Sequence, residues 1–331
     1  MKIFITGGGG YCGSRLVPYL LNKNFKVTVF DTFYFTDKFL NNHPNLTKIK
    51  GDIRDTNKLE ESLKNHDIFV HLACISNDSS FELNSELSKS INYDCFEPMV
   101  LAAKRNKIKK FIYASSSSVY GVSDKKNVTE EHPLVPLTLY NKFKGLCEPI
   151  LLEHTDDSFS GVVFRPATVC GYAPRLRLDL SVNILTNHAI NNKKIIVFGG
   201  NQLRPNLHIQ DYCEFIEVLI NAKNSLINQQ IFNVGYQNLS ILEIANLVKK
   251  IIEKKFNLKS KIEIEIEKSS DNRSYHINSD KVYKILNFKP KYSIENAIDE
   301  LYQNFNNGNI VNSFDDNIYF NVKRMKDLNI I

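Results

Sequence analysis

The chain has 331 residues, of which 43% are hydrophobic and 24% charged, and its formal net charge is +6. These values are typical of globular proteins, and the length suggests about two structural units. No apolar run approaches the roughly 18 residues needed to cross a bilayer, so we expect neither a membrane span nor a signal peptide. The lysines are spread over short clusters, as on solvated helix ends, which argues against nucleic-acid binding. The six cysteines lack metal-type spacing, so we expect free thiols, no metal site and a cytoplasmic location.

The first half of the chain alternates short apolar runs with helical patterns. Strands are predicted at residues 2–6, 26–30, 46–50, 68–72 and 110–114. Helices are predicted between most of them, notably at residues 11–21, 57–63 and 86–104. This alternation predicts an α/β, doubly wound parallel sheet, whose ligands bind beyond the carboxyl ends of the strands.

The alternation weakens after residue 166. Strands are predicted at residues 194–198 and 231–234, and helices at 211–221 and 239–252. The segment 172–192 is predicted as a loop followed by a helix, and a turn is expected at Asp271–Asn272. A smaller, less regular second unit is therefore expected.

A glycine-rich turn follows the first predicted strand and begins the first helix. Gly7, Gly10 and Gly13 give the pattern G-x-x-G-x-x-G. Small residues allow a tight turn and let a pyrophosphate approach the backbone, while the N–H groups and the helix dipole point at the phosphates. This pattern predicts a dinucleotide site.

Acidic residues end the second and third predicted strands. Asp31 can accept hydrogen bonds from both adenosine ribose hydroxyls and repels a 2′-phosphate, and no arginine follows it directly, so NAD is favoured over NADP. Asp52, beside Ile53, can meet the adenine amino group; its alternative role is to cap a helix.

Tyr140 and Lys144 form Tyr-x-x-x-Lys, which places both side chains on one face of a helix. They follow a serine-rich strand end, so a hydroxyl could stand beside the tyrosine. A free tyrosine, with a pKa of about 10, is a poor base at neutral pH. The ammonium of Lys144 and a positive nicotinamide would both lower the pKa of Tyr140. Removal of a proton from an alcohol is therefore predicted.

Together these motifs resemble the extended short-chain dehydrogenase/reductases that act on sugar nucleotides, the NAD-dependent epimerase/dehydratase family, over nearly the whole length. The resemblance implies that Ser116, Tyr140 and Lys144 are catalytic. It implies NAD contacts at Gly7, Gly10, Tyr11, Cys12, Gly13, Asp31, Asp52, Ile53, Leu72, Ala73, Asn92, Tyr140 and Lys144. It also implies an NAD-binding domain at residues 1–167, with returning segments near 207–215 and 230–236, and a mainly sugar-nucleotide-binding domain at residues 168–331.

The second half resembles the substrate site of the same family. Gln202-Leu203-Arg204 is similar to a Q-x-R motif whose arginine binds the substrate diphosphate, and Arg273 is similar to a second such arginine. A guanidinium fork matches phosphate geometry, although either arginine alone could form an exposed salt bridge. The resemblance also implies substrate contacts at Ser117 and Asn183.

The family's shared step is oxidation of the hexose C4 hydroxyl by NAD. Its 4,6-dehydratases carry Asp-Glu after the catalytic Ser/Thr, where this chain has Ser117 and Ser118, so elimination of water is disfavoured. Its epimerase/reductases use a cysteine at the position of Ser118. A net 4-dehydrogenase and a 4-epimerase remain. A non-catalytic NAD-binding regulator is disfavoured, because Tyr140 and Lys144 are both present.

Segments 114–121 and 165–171 resemble bacterial enzymes that build surface polysaccharides, of the GDP-heptose 4-dehydrogenase type. That resemblance favours a GDP-sugar over a UDP-sugar as substrate and a role in capsule formation. It also implies a homodimer or a dimer of dimers, because family members commonly pair through two helices per subunit.

Overall fold

A computed structural model describes residues 1–123, 125, 127–256, 261–268 and 274–330. Within this part of the chain the strands are β1 (Lys2–Thr6), β2 (Lys26–Asp31), β3 (Leu46–Lys50), β4 (Ile68–His71), β5 (Lys110–Ala114), β6 (Ser160–Pro166), β7 (Thr168–Cys170), β8 (Lys194–Phe198), β9 (Leu203–His208), β10 (Gln230–Val234), β11 (Gln237–Ser240) and β12 (Glu263–Glu267). Most of the strands expected from the sequence therefore form within one or two residues of their predicted ends.

The main sheet has seven parallel strands in the order β10-β6-β5-β4-β1-β2-β3. The order of the strands reverses between β1 and β4, which makes this the switch point where ligands of doubly wound sheets bind. The α/β doubly wound fold predicted from the sequence is confirmed.

The α-helices of the described chain are α1 (Tyr11–Asn22), α2 (Thr56–Ser62), α3 (Asp78–Glu82), α4 (Ser85–Lys89), α5 (Phe96–Arg105), α6 (Leu139–Glu153), α7 (Ser181–Asn191), α8 (Ile209–Asn221), α9 (Asn224–Ile227), α10 (Ile241–Phe256), α11 (Asp280–Leu286), α12 (Ile294–Asn306) and α13 (Asn321–Asp327). Short 3₁₀ turns lie at Ser117–Tyr120 and Asn317–Tyr319. None of these helices is both long and apolar enough to span a membrane.

Two hydrophobic cores cover the two faces of the main sheet. Successive side chains of a strand point to opposite faces, so Ile3 and Ile5 pack with α1 and α8, whereas Phe4 packs with α5 and α6. Apolar residues on both faces are what a parallel sheet buried between helices requires. This packing fixes the carboxyl ends of the strands as one rim.

The second half adds two small sheets beside that rim. One contains β11, β9 and β7, and the other pairs β8 with β12. Helices α7, α10 and α12 pack with β8 around a third core. The chain also returns to the main unit, because α8 packs on α1 and β10 joins the edge of the seven-stranded sheet.

The helical stretch expected over residues 86–104 forms, but it is not one continuous α-helix. A π-helical turn, Ser90–Asp94, separates α4 from α5. Asn92 lies in this turn and is 5% exposed; its side-chain amide bonds both the N–H and the C=O of Ile75 at 2.8 and 2.9 Å. A contact with a residue 17 positions earlier in the chain is invisible to a helical pattern.

Candidate active site

A cavity of about 710 Å³ opens at the carboxyl ends of the main sheet. Its walls include the chain just after β1, β2, β3, β4, β5 and β6, and they continue along α7 and β9 in the second half. This is the position that a doubly wound sheet offers to ligands, and the volume suits a small-molecule site.

The glycine loop forms one end of the cavity. Gly7 has φ +76°, and a Cβ there would lie 2.5 Å from the backbone N of Ala73. A Cβ on Gly13 would lie 2.5 Å from Gly8. Neither position accepts a side chain, so the N-terminus of α1 is open to the cavity. A cradle of this shape fits a pyrophosphate.

Asp31 lies beside that cradle with both carboxylate oxygens fixed. Oδ2 accepts a hydrogen bond from the N–H of Gly9 at 2.9 Å, and Oδ1 accepts one from the N–H of Phe33 at 2.7 Å. Burial raises the pKa of Asp31 from its usual value, while these backbone bonds oppose the shift. Each oxygen keeps room for a second donor, so the geometry suits the two hydroxyls of a ribose.

Asp52 and Ile53 also line the cavity. Both oxygens of Asp52 accept bonds from Arg54, the shortest being 2.6 Å from Nη2, and these bonds lower the pKa of Asp52. The alternative capping role is wrong, because the N-cap of α2 is Asp55, whose carboxylate accepts from the N–H of Lys58.

The other residues expected at NAD fall into two groups. Tyr11, Cys12, Leu72 and Ala73 line the cavity, and the hydroxyl of Tyr11 donates to the carbonyl of Gly171 at 2.7 Å. Asn92 is outside the lining. It holds the loop after β4 through Ile75, so the structure places it behind the cavity wall.

Ser116, Tyr140 and Lys144 line the same cavity, beyond the glycine loop. Nζ of Lys144 donates to the carbonyl of Ala114 at 2.8 Å, which ties α6 to the end of β5. The hydroxyl of Ser116 lies 2.7 Å from that of Ser118. A serine hydroxyl, a phenol and an ammonium are thus gathered where a substrate alcohol could bind.

Burial dominates the electrostatics of Tyr140. It raises the pKa of the phenol well above 10, Cys74 and Asp78 raise that pKa further, and the guanidinium of Arg177 opposes the shift. The sequence argument expected Lys144 to lower the pKa of Tyr140. In the structure the cation that acts in this direction is Arg177.

A buried polar network fixes the serine-rich strand end. The hydroxyl of Ser115 donates to Glu148, and Glu148 pairs with Arg165 at 2.6 Å. Arg165 also donates to the hydroxyl of Tyr120 at 2.7 Å, and Tyr120 donates to Asn233 at 2.7 Å. The network joins the end of β5 to α6, β6 and β10, so it helps to set the position of the neighbouring Ser116.

Ser117 and Arg204, expected at the substrate, also line the cavity. Ser117 is 1% exposed and donates to the hydroxyl of Tyr275 at 3.5 Å. Arg204 is the second residue of β9, and its Nη1 donates to the carbonyl of Leu203 at 2.9 Å.

Asn183, also expected at the substrate, is not at the wall of this cavity. Asn183 is fully buried outside the cavity lining; its amide accepts from the N–H of Gly171 at 3.0 Å and donates to the carbonyl of Arg177 at 2.9 Å. It thereby shapes the loop before α7. Arg273, and with it the turn expected at Asp271–Asn272, lies outside the described residues.

That loop supplies cavity residues that sequence reasoning missed. Arg175, Arg177 and Asp179 line the cavity, and Asn321 joins them from α13. The alternation of arginine with leucine before Asp179 was an available signal, since charges repeated along an apolar loop need burial partners.

The assembled parts define a dinucleotide-dependent enzyme that acts on an alcohol. Comparison with known proteins gives the same class. The model of the NAD dependent epimerase/dehydratase family matches residues 3–235. The chain is 25% identical over 308 residues to the low-salt glycan biosynthesis protein Agl12 of Haloferax volcanii, covering 90% of this chain and 96% of that protein.

Two further relatives act on different sugar nucleotides. A dTDP-glucose 4,6-dehydratase of an Actinoplanes species is 24% identical over 318 residues, covering 91% of this chain and 96% of that protein. The crystal structure of UDP-glucuronic acid 4-epimerase from Bacillus cereus, with UDP-glucuronic acid and NAD, has a TM-score of 0.80 and 26% identity; the match covers 92% of this chain and 99% of that one.

The chain belongs to the NAD-dependent epimerase/dehydratase family. It is an oxidoreductase-type enzyme of the sugar-nucleotide class, and its cofactor is NAD. The residues present fit this cofactor, because the glycine cradle and the paired acceptors of Asp31 lie at one end of the cavity that also contains Tyr140.

Proposed function

We propose that the protein oxidises the C4 hydroxyl of a GDP-linked sugar resembling GDP-heptose, as a net 4-dehydrogenase of surface-polysaccharide biosynthesis in the cytoplasm. The observation that carries the proposal is one cavity that joins the glycine loop and Asp31 to Ser116 and Tyr140, with Arg204 farther along the wall. The preference for GDP rests on the resemblance of segments 114–121 and 165–171.

In this mechanism Tyr140 accepts the proton of the C4 hydroxyl, and Ser116 holds that hydroxyl by a hydrogen bond. NAD bound at the glycine loop and Asp31 would supply the acceptor for the hydride of C4. Lys144 is fixed by the carbonyl of Ala114 and keeps further N–H donors for the nicotinamide ribose.

A dehydratase would also need an acid and a base at the substrate's C5 and C6. Ser117 and Ser118 occupy the two positions after Ser116, and neither supplies a carboxylate. Two other carboxylates of the cavity are already engaged. Asp78 accepts from the hydroxyl of Thr138, and Asp179 pairs with an arginine.

A 4-epimerase is the second candidate, and the overall likeness to the UDP-glucuronic acid 4-epimerase favours it. Both reactions begin with the same oxidation. They differ in whether the 4-keto sugar leaves or is reduced again on its other face, so NADH accumulates only in the dehydrogenase.

The test is incubation of the purified protein with NAD and GDP- or UDP-linked hexoses and heptoses. Absorbance at 340 nm and NMR of the sugar are followed together. A dehydrogenase gives NADH and 4-keto sugar in equal amounts, whereas an epimerase gives a new C4 stereoisomer without net NADH. Loss of water from the sugar would contradict both.

Binding of the nucleotide is tested separately by calorimetry with GDP and UDP in the presence of NAD. Loss of one charge-assisted contact in Arg204→Gln should weaken binding of the preferred diphosphate about 10- to 150-fold. A free sugar should not bind. Absence of binding by either diphosphate at millimolar concentration would remove the sugar-nucleotide proposal and favour a small-alcohol dehydrogenase.

A further inference from the structure

Two buried arginines lie on the loop before α7 and line the cavity. Arg175 is 2% exposed and Arg177 is 7% exposed, and both line the wall shared with the glycine loop. The backbone N–H of Arg175 donates to the hydroxyl of Ser14 at 3.1 Å. Ser14 directly follows Gly13 in the first turn of α1, so the loop is fastened beside the helix N-terminus.

Among the described residues, no carboxylate forms an ion pair with the side chain of Arg175. Its guanidinium lies 3.6 Å from the ring centroid of Phe35, and Nη2 donates to the amide oxygen of Asn321 at 2.6 Å. Its Nε is buried and has no hydrogen-bond partner in the part of the chain that the structure describes. Burial lowers the pKa of Arg175, whereas an anion bound beside it would stabilise the charged form.

Arg177 is held in place by two hydrogen bonds, and its guanidinium has a further N–H group that can bind a ligand. Its Nε donates to Asp179 at 2.8 Å and its Nη1 donates to Ser76 at 3.2 Å. Its Nη2 is buried, and none of the described residues accepts a hydrogen bond from it. Asp179 accepts in turn from the backbone N–H of Asn321 at 3.1 Å. One carboxylate thus faces two guanidinium groups, and the cluster is positively charged.

The position of the two arginines in the cavity indicates which anion they bind. The charge of Arg177 acts on both Cys12, in the glycine loop, and Tyr140, whereas the charge of Arg175 acts on Cys12 and Asp31. The arginines therefore lie between the adenosine end and the catalytic end of the cavity. The glycine loop offers only backbone N–H groups there.

We infer that Arg175 and Arg177 bind the pyrophosphate of NAD together with the glycine loop, through the buried N–H groups that have no hydrogen-bond partner among the described residues. The two negative charges of the pyrophosphate neutralise the cluster, and Asp179 and Asn321 hold both guanidinium groups in the binding geometry. The inference concerns the cofactor and is independent of which sugar nucleotide the enzyme uses.

The test is titration of the full chain with NAD, with ADP-ribose, which contains the pyrophosphate, and with adenosine, which does not. Arg175→Gln and Arg177→Gln should each weaken NAD and ADP-ribose about tenfold or more and leave adenosine unchanged. Arg15→Gln is the matched control. Arg15 is on α1, pairs with Glu300 at 3.1 Å and is outside the cavity lining, so binding should not change.

Because Arg177→Gln leaves Asp179 buried and unpaired, the double variant Arg177→Gln/Asp179→Asn is measured alongside it, with circular dichroism to verify folding. Unchanged affinity for ADP-ribose in folded Arg175→Gln and in the double variant overturns the inference. An equal loss for adenosine and ADP-ribose overturns it too, since the site would then be generally distorted. Weaker binding of GDP or UDP with unchanged ADP-ribose binding would assign the arginines to the substrate.

Discussion

Asp31→Asn should remove most of the protein's preference for NAD over NADP. Each oxygen of Asp31 already accepts one backbone bond, from Gly9 at 2.9 Å and from Phe33 at 2.7 Å. One acceptor position on each oxygen is left for a ribose hydroxyl. Asparagine removes the charge and replaces one acceptor by an N–H₂ group, which faces either a backbone N–H or a ribose donor.

A hydrogen bond to a charged group contributes about 1.5–3 kcal/mol, so losing one should weaken NAD about 10- to 150-fold. NADP should gain or stay unchanged, because the repulsion of its 2′-phosphate is removed. Calorimetry with both cofactors measures the ratio of the two Kd values. Asp52→Asn is the control; Arg54 occupies its carboxylate, so the ratio should stay constant. Equal affinity of the unaltered protein for both cofactors would refute the reasoning.

Three further outcomes are expected. Tyr140→Phe should lower turnover at least about 10²-fold with NAD binding nearly unchanged, and a variant as active as the parent would remove Tyr140 as the base. Because the pKa of Tyr140 is raised and only its deprotonated form accepts a proton, kcat/KM for oxidation should rise from pH 7 to pH 9. Arg177→Gln should move this rise to higher pH, and a flat profile would contradict the assignment. Glu148→Ala leaves the charge of Arg165 buried and should cost about 3–5 kcal/mol of unfolding free energy by denaturant titration, whereas Glu60→Ala, in an exposed pair, should change it little.

The parts of the site that the sequence alone identified are those encoded by neighbouring residues. The glycines at 7, 10 and 13, Asp31 at a strand end, and Tyr140 with Lys144 on one helical face each depend on spacings of a few residues and on one secondary-structure element. Local geometry sets such positions, so the pattern predicts them. Ser116 was located by family resemblance and lies at the same cavity.

The tertiary structure decided the roles that depend on contacts between distant residues. Asn92 and Asn183 were expected at ligands, yet their amides hold loops through Ile75 and Gly171. Asn321 meets Ser76 across 245 residues of sequence, and no periodicity links these positions.

The electrostatics of Tyr140 required the folded structure for the same reason. The Tyr-x-x-x-Lys spacing identifies the ammonium that is nearest in the sequence, which is that of Lys144. The pKa of the Tyr140 phenol, however, depends on burial and on every charge packed around it. Arg177, from a loop in the second half of the chain, opposes the shift that burial imposes. The sequence therefore predicted which groups would do the chemistry. Packing of distant segments decided their ionisation and the charges around the cofactor, because desolvation and Coulomb interactions depend on distance in space.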